Sequence, residues 1–324
     1  MQNRTKRRFW MNVGYAVVIV LLLGILCWLF VRQEQPPRKI QNPSQSGYAG
    51  VEYGAAKYRY NTDLTNILFL GIDKEQDITH LHLPSQSGQC DFLALLSLNQ
   101  RTKEARILQI NRNTVTELDF YDMFGNYSKS LDGQIALQYA YHIGGSGSCW
   151  AVKKTVREML LDIPIEAVLA MDISGVPVIN DLLGGITVTM KRDYTHIDSA
   201  FVGGAQVRLT GAQAERFVRY RDITQFNSVE DRMSRQMDYL IGLLEVAGTY
   251  PGSQLFALME PYWQTLIVTD MTEELAKSLP SYRYLTEDIL SLPGQERMGE
   301  TYEEFILDEE ALREMVFAVF YVPE

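Results

Sequence analysis

Three cysteines and four histidines in 324 residues leave little material for thiolate or imidazole chemistry. Cys27 lies in an apolar run, so only Cys90 and Cys149 could pair with each other, and spacing alone leaves that disulfide open. His80 and His82 have the spacing of metal ligands, but no third ligand accompanies them. A phosphate-cradling P-loop is missing too: "GGSGS" at 144–148 lacks the Gly-Lys-Ser/Thr ending and reads as a flexible turn. No Ser, His or Cys stands in a nucleophile-elbow pattern, which removes that route to acyl transfer. Internal repeats and low-complexity tracts are absent, which argues against a solenoid. Positive charge is scarce beyond the N-terminus. Five of the 30 Lys and Arg precede residue 33, leaving 25 basic against 40 acidic residues, a net charge near −15. A body that acidic does not bind nucleic acid non-specifically, so any anion must be gripped by a local basic cluster.

What is present begins with a long apolar run. Arg4, Lys6, Arg7 and Arg8 precede residues 9–31, which are interrupted only by Asn12, Gly14, Tyr15 and Gly24. As a helix this run reaches about 34 Å, enough to cross a bilayer. The basic cluster before it places residues 1–8 in the cytoplasm, 9–31 as one transmembrane helix and the remainder outside the cell membrane. A cleaved signal peptide competes with this reading, but the run is long for one and "CWLFVRQEQPP" offers no small-x-small cleavage site. Residues 32–62 carry Pro36, Pro37 and Pro43 among Ser, Gln and Gly, and read as a flexible linker. Residues 63–324 then form one extracytoplasmic domain.

Within that domain, apolar runs of strand length alternate with amphipathic segments, the pattern of an α/β fold. "NILFLGID" (66–73), "FLALLSLN" (92–99), "ARILQIN" (105–111) and "IEAVLAMD" (165–172) are apolar almost throughout, as in strands covered on both faces. Helices are predicted near 131–142, 150–161, 174–183, 211–220 and 228–247. Thr210 with Gln213 makes a capping box, Ser174 and Ser228 are candidate N-caps, and Gly184-Gly185 closes the third helix. The tail from 249 mixes short helices and turns, ends in an amphipathic "DEEALREMVFAVF", and holds no strand set large enough for a second domain.

The chemistry rests on two acids and a set of arginines. Asp73 ends the first strand and Asp91 opens the second, and ligand sites in α/β sheets form at such strand ends. Two carboxylates there suit a shared hard cation such as Mg²⁺, although each could equally end its strand in solvent. Arg112 follows the third strand, Arg219 and Arg221 end the helix "AERFVRYR", and Arg232, Arg235 and Gln236 stand at i, i+3 and i+4 on one helix. The planar guanidinium fork fits a pyrophosphate, while surface salt bridges to Glu215, Asp222, Glu230 and Asp231 are the plainer explanation. Arginines together with two acids point to phosphoryl chemistry.

In this order, "NILFLGID", "CDFLALLSLNQRTKEARILQINRNT", "QYAYHIGG", "IPIEAVLAMDISGVPVINDLLGGITV", "LTGAQAERFVRYRD" and "DRMSRQ" resemble the LytR-CpsA-Psr family. The resemblance runs from about Asn66 to Met237 and more loosely to the C-terminus. It implies a three-layer α/β/α sandwich around a central mixed sheet, with a long apolar tunnel for a lipid. It also implies an Mg²⁺-dependent phosphotransferase, anchored in the membrane, moving a glycopolymer such as a teichoic acid or capsular polysaccharide. The donor would be an undecaprenyl-pyrophosphate carrier and the acceptor a peptidoglycan sugar hydroxyl. Asp73 and Asp91 match the family's metal-associated acids. Arg112 matches the arginine of its "PRD" motif, and Arg219, Arg221, Arg232 and Gln236 match its pyrophosphate-binding residues. With Arg235 these make the substrate-binding set, and Asp91, Arg112, Arg219 and Arg221 the catalytic one. Two positions depart: Gln89-Cys90-Asp91 stands where the family usually has Arg-Ser/Thr-Asp, and Asn113 where it has the "PRD" acid. An amide cannot act as a base. A non-catalytic polyprenyl-pyrophosphate binder serving envelope assembly is therefore the second reading. Direct transcriptional control is excluded for an acidic domain outside the membrane.

Overall fold

The computed structural model describes residues 51–54, 56–75, 78–222, 224, 228–263 and 265–324. The expected cytoplasmic segment, the membrane helix with Cys27, and most of the linker lie outside the described residues. Among those described, no helix is long and apolar enough to cross a membrane. The chain divides into residues 1–57 and a second compact unit, Tyr58–Glu324.

Strands β1 (Val51–Tyr53) and β2 (Ala56–Tyr60) precede the first apolar run, so the expected linker contains strand structure before its end. The four apolar runs follow as β3 (Leu64–Ile72), β4 (Cys90–Asn99), β5 (Glu104–Ile110) and, after a hairpin of β6 (Val115–Tyr121) and β7 (Tyr127–Gln134), β8 (Ala167–Asp172). A small ribbon pairs β9 (Thr187–Thr189) with β10 (Gln206–Arg208). The tail is richer in strands than its sequence implies. It holds β11 (Ile267–Thr269), β12 (Arg283–Tyr284), β13 (Leu290–Ser291), the hairpin of β14 (Gly294–Met298) with β15 (Glu303–Leu307), and β16 (Tyr321–Pro323). Three of these complete the central sheet and β16 pairs with Tyr58–Tyr60, so the tail closes the domain and does not form its own.

The central sheet runs β11-β8-β3-β4-β5-β12, with β13 also on β5. It is mixed: β3 and β8 are parallel, while β4 is antiparallel to both β3 and β5. That register decides where the chemistry lies. Ile72 pairs with Asp172 and with Cys90, and Leu93 pairs with Ile110. The C-terminal ends of β3, β5 and β8 and the N-terminal end of β4 therefore share one edge, the place where ligand sites form in such sheets. Leu68, Leu70, Leu93 and Leu95 have no exposed surface, and burying each contributes about 1.5–3 kcal/mol.

Helices lie against both faces. Ser228–Ala247 lays Met237 and Leu240 on Ile67, Phe92, Ala94 and Leu96. Gly145–Met159 buries Val152 and Val156 on the other side. Helix Gly211–Arg219 begins with the expected capping box of Thr210 and Gln213. Helix Gly175–Leu182 ends at Gly184, whose φ of +80° is the left-handed conformation glycine adopts freely. Ser174 does not cap that helix with its side chain. Asp172 does so, accepting from the Gly175 amide at 3.0 Å. Ser228 is the first residue of its helix and accepts a bond from Arg221.

Two expectations change, and the open disulfide question is answered. The helix predicted near 131–142 is strand β7 and a 3-10 turn, Ile135–Leu137, because Leu131 pairs across to Leu118 in a hairpin that local periodicity does not register. The signal was in the turn, where Asp122 accepts from the amides of Phe124 and Asn126. "GGSGS" opens helix Gly145–Met159, with Ser148 Oγ accepting from the Gly144 amide at 2.9 Å and donating to the Tyr139 carbonyl at 2.7 Å. Cys90 and Cys149 are free, buried thiols, and burial pushes Cys149 up to about 12.

His142 is buried beside Tyr121, its ring accepting from the Ile143 amide at 2.8 Å, and burial lowers its pKa from 6.5 to about 4. The unfolded chain takes up this proton below about 6.5, whereas the folded one resists until about 4. The neutral ring's contribution to stability is therefore full above pH 6.5 and is lost as the pH falls toward 4. His142→Gln should flatten that limb of the melting temperature against pH; an unchanged limb would mean that other groups cause it.

Candidate active site

The shared sheet edge brings the carboxylates and guanidiniums together. Asp73 and Gln89, the two ends of a long loop, are joined by the Asp73 amide donating to the Gln89 carbonyl at 2.9 Å. Gly88, at φ +87°, allows this approach: a Cβ there would stand 2.9 Å from the Lys74 Cβ. The loop thus returns Asp91 to the edge beside the strand that ends at Asp73.

Asp91 is nearly buried between two arginines. Its Oδ1 lies 3.2 Å from Arg112 Nη2 and its Oδ2 2.6 Å from Arg232 Nη1. Arg112 also donates to Gln89 Oε1 at 2.7 Å, so an amide fills a place beside the guanidinium where a second arginine would repel it. Burial lowers the Arg112 pKa, Asp91 opposes that, and Arg232 and Arg221 push it further down. Charge is therefore costly here and only partly offset. Among the described residues, Arg112 Nε and both Nε and Nη2 of Arg232 are buried donors without an acceptor.

Arg219 stands nearer solvent, donating to Glu75 at 2.8 Å and Glu215 at 3.2 Å, with Asp73 at 3.9 Å. Its pKa is raised, first by Glu75. Arg221 Nε donates to Ser228 Oγ at 3.0 Å, and its Nη2 lies 3.8 Å from Glu303. Gln236 sits one turn beyond Arg232, and its Oε1 is buried without a donor among the described residues.

Arg235 departs from this group. It is about 99% buried, and its guanidinium donates to the carbonyls of Phe217 and Tyr220 and to Asp231, between the Tyr194 and Phe217 rings. The substrate-binding assignment from helix spacing does not fit this placement. Successive residues turn by about 100°, so 235 and 236 face different neighbours even though both lie within a turn of 232.

Asp73, Asp91, Arg219, Arg232 and Gln236 line the polar part of one cleft. Apart from Asp172 the rest of its wall is largely apolar and includes Phe69, Phe92, Met171, Val176, Tyr239 and Leu243. Arg112 enters through its contact with Asp91. Asp172, also in the wall, went unnoticed in the sequence, although "IEAVLAMD" ends on an acid as "NILFLGID" does. Glu303 gave no signal, since its position depends on a hairpin about 190 residues downstream of Arg112. Among the described residues no cluster of three or more His, Cys, Asp and Glu is suited to a metal.

The chain is 25% identical over 264 residues to a polyisoprenyl-teichoic acid–peptidoglycan teichoic acid transferase TagU of Bacillus cereus, covering 80% of this chain and 76% of that protein. Among solved structures, TagV of B. subtilis matches with a TM-score of 0.60 at 20% identity, over 80% of this chain and 97% of that one. A structure of TagT bound to LI-WTA matches with a TM-score of 0.59 at 21% identity, over 79% and 89%. At those identities the two structures bear on the fold alone: a mixed α/β domain with a central mixed sheet. Residues 33–318 match the model of the LytR_cpsA_psr family, and the chain belongs to that family.

Proposed function

We propose that this protein is a membrane-anchored phosphotransferase that moves a glycopolymer from an undecaprenyl-pyrophosphate carrier to a sugar hydroxyl of peptidoglycan, outside the cell. The observation that carries the reading is the pair of buried guanidiniums, Arg232 in the wall of an apolar cleft and Arg112 behind it on Asp91, whose donors lack acceptors among the described residues. Such donors are costly unless a ligand's acceptors satisfy them. A diphosphate supplies acceptors of the right charge and geometry, and a prenyl chain suits the apolar wall at ~0.8 kcal/mol per buried CH₂. The TagU relative, named for action on a polyisoprenyl-linked teichoic acid and peptidoglycan, points to the same substrate classes.

In this reading Arg112, Arg219 and Arg232 hold the diphosphate, Arg221 adds charge from the side, and Gln236 fixes the orientation of a phosphate oxygen. The arginines act most strongly as charge builds on the departing phosphate, which makes the site complementary to the transition state. The rim also fits Mg²⁺, which is usually held by one or two carboxylates with waters and substrate phosphates. Asp73 and Asp91 would be its protein ligands, and the ion would supply further neutralisation of phosphate charge. Asp91 is held by Arg112 and Arg232, so diphosphate binding to those arginines frees its oxygens for the cation. Cation and diphosphate should therefore bind with positive coupling.

The test uses the full chain in detergent or vesicles with a lipid-linked glycan, a peptidoglycan oligosaccharide and Mg²⁺. The expected result is glycan transfer with release of polyprenyl monophosphate, abolished by a chelator. Failure both to transfer and to bind polyprenyl pyrophosphate would overturn the proposal. Binding without transfer would favour the accessory-binder reading, which the amide at Asn113 motivates.

A further inference from the structure

Attack on a phosphorus by a sugar hydroxyl releases a proton, and the carboxylates of the cleft and of the segments beside its arginines differ in their freedom to accept it. Asp91 is held by Arg112 and Arg232. Asp172 accepts on Oδ1 from Ser174 and the Gly175 amide, and makes a further contact besides. Glu75 and Glu215 bind Arg219, and Glu296 accepts from Asn111 at 3.1 Å. Asp73 is half exposed and faces Arg219 on the cation side. Asn113 is an amide, with its Oδ1 taken by Gln134 at 3.3 Å.

Glu303 is different. The β14–β15 hairpin is fastened beside the Arg112 loop at several points. The Phe305 amide donates to the Asn113 carbonyl at 2.9 Å, Phe305 bridges to Thr114, and Gln134 Nε2 donates to the Glu303 carbonyl at 2.7 Å. This fixes the Glu303 backbone, and its side chain is only 12% exposed. Its Oε2 is buried and has no hydrogen-bond donor among the described residues. Arg221, at 3.8 Å, lies beyond hydrogen-bond distance. Arg221 in turn is close enough to influence Arg112. A carboxylate oxygen thus stands 3.8 Å from Arg221, on the hairpin bonded to the Asn113 carbonyl, with no hydrogen-bond donor among the described residues.

Resting on the transferase reading above, we infer that Glu303 is the general base for the acceptor hydroxyl, doing from the C-terminal hairpin what the amide of Asn113 cannot. As the hydroxyl oxygen bonds to the glycan-bearing phosphorus, its proton passes to the Glu303 carboxylate. The bond from that phosphorus to the bridging oxygen breaks, and its electron pair leaves with polyprenyl monophosphate beside Arg112 and Arg232. Glu303 then returns its proton to water. A general base in this position contributes about 10²- to 10⁴-fold in rate.

The experiment compares wild type, Glu303→Gln and Glu303→Gln with Asn113→Asp in the transfer assay, alongside polyprenyl pyrophosphate binding and melting temperature. Glu303→Gln should lower kcat by about 10²- to 10⁴-fold, with lipid KM and lipid binding unchanged. Adding Asn113→Asp should restore about tenfold or more, because it returns a carboxylate to the adjoining position. If the Gln variant does not fold, Glu303→Asp, which keeps the charge but withdraws it by one methylene, should lose kcat with lipid binding intact. Transfer by Glu303→Gln at the wild-type rate overturns the inference and leaves the transferase reading standing. So does a loss of kcat matched by loss of lipid binding, since that would make Glu303 a support for Arg221. A wild type that neither binds the lipid nor transfers overturns the transferase reading itself, and this inference with it.

Discussion

Arg232→Ala should reduce glycan transfer by roughly 10³- to 10⁵-fold, the scale for an arginine that stabilises a phosphoryl transition state. Three features make Arg232 the strongest candidate of the set. It is nearly buried, so its field is little screened by solvent. It lines the cleft directly, and two of its donor nitrogens have no acceptor among the described residues. Its remaining link is to Asp91, so losing it removes the proposed phosphate ligand and changes the environment of the proposed cation ligand together. Arg232→Lys should recover little, because an ammonium cannot reproduce a bidentate contact. Folding should survive. Removing buried donors that lack partners takes away a desolvation cost, and Asp91 keeps Arg112, so the variant should melt close to wild type. Wild-type transfer by Arg232→Ala would remove the cleft from the reaction.

That combination, damaging for turnover and mild for stability, follows from how the site is built. The sheet edge needs no arginine in order to fold, since its cohesion comes from side chains such as Leu70, Ile72 and Leu93. The guanidiniums are placed on a finished scaffold by elements on either side: Arg112 by the exit of β5 and Arg232 by the long helix. Asp91 holds them together while no phosphate competes. The acid thereby preorganises the arginines, and its two short contacts keep the positive charges from separating.

Much of this arrangement was legible in the sequence, and what was missed shares a cause. The four apolar runs are strands because near-continuous burial leaves an unmistakable pattern, and the helix over 228–247 is found at its expected limits. Asp73 and Asp91 follow from the ends of those runs. β7, the edge strands of the tail, and Glu303 were not legible, because each depends on a partner far along the chain: Leu118 for Leu131, β5 for β12 and β13, and Asn113 for the β15 hairpin. Local periodicity carries no record of such partners. The cysteines make the same point: their number allowed a bridge, and only the packed core shows two separate thiols.

Arg235→Met should instead destabilise the protein by about 3–5 kcal/mol, measured by chemical denaturation, without directly removing a phosphate ligand. Helix Gly211–Arg219 ends by exposing carbonyls, and the Arg235 guanidinium satisfies those of Phe217 and Tyr220 from inside the core. Each charge-assisted bond of this kind is worth about 1.5–3 kcal/mol, and methionine replaces the packing but not the donors. Burial lowers the Arg235 pKa, and Asp231 opposes that. Arg219 and Arg221 flank the same helix end, so lipid KM should rise modestly as that end loosens, while kcat at saturation changes less than in Arg232→Ala. The opposite outcome, a variant as stable as wild type that no longer binds polyprenyl pyrophosphate, would return Arg235 to the ligand set that its spacing on the helix first suggested. On the proposed function the two arginines, three residues apart on one helix, separate what holds this domain together from what it does.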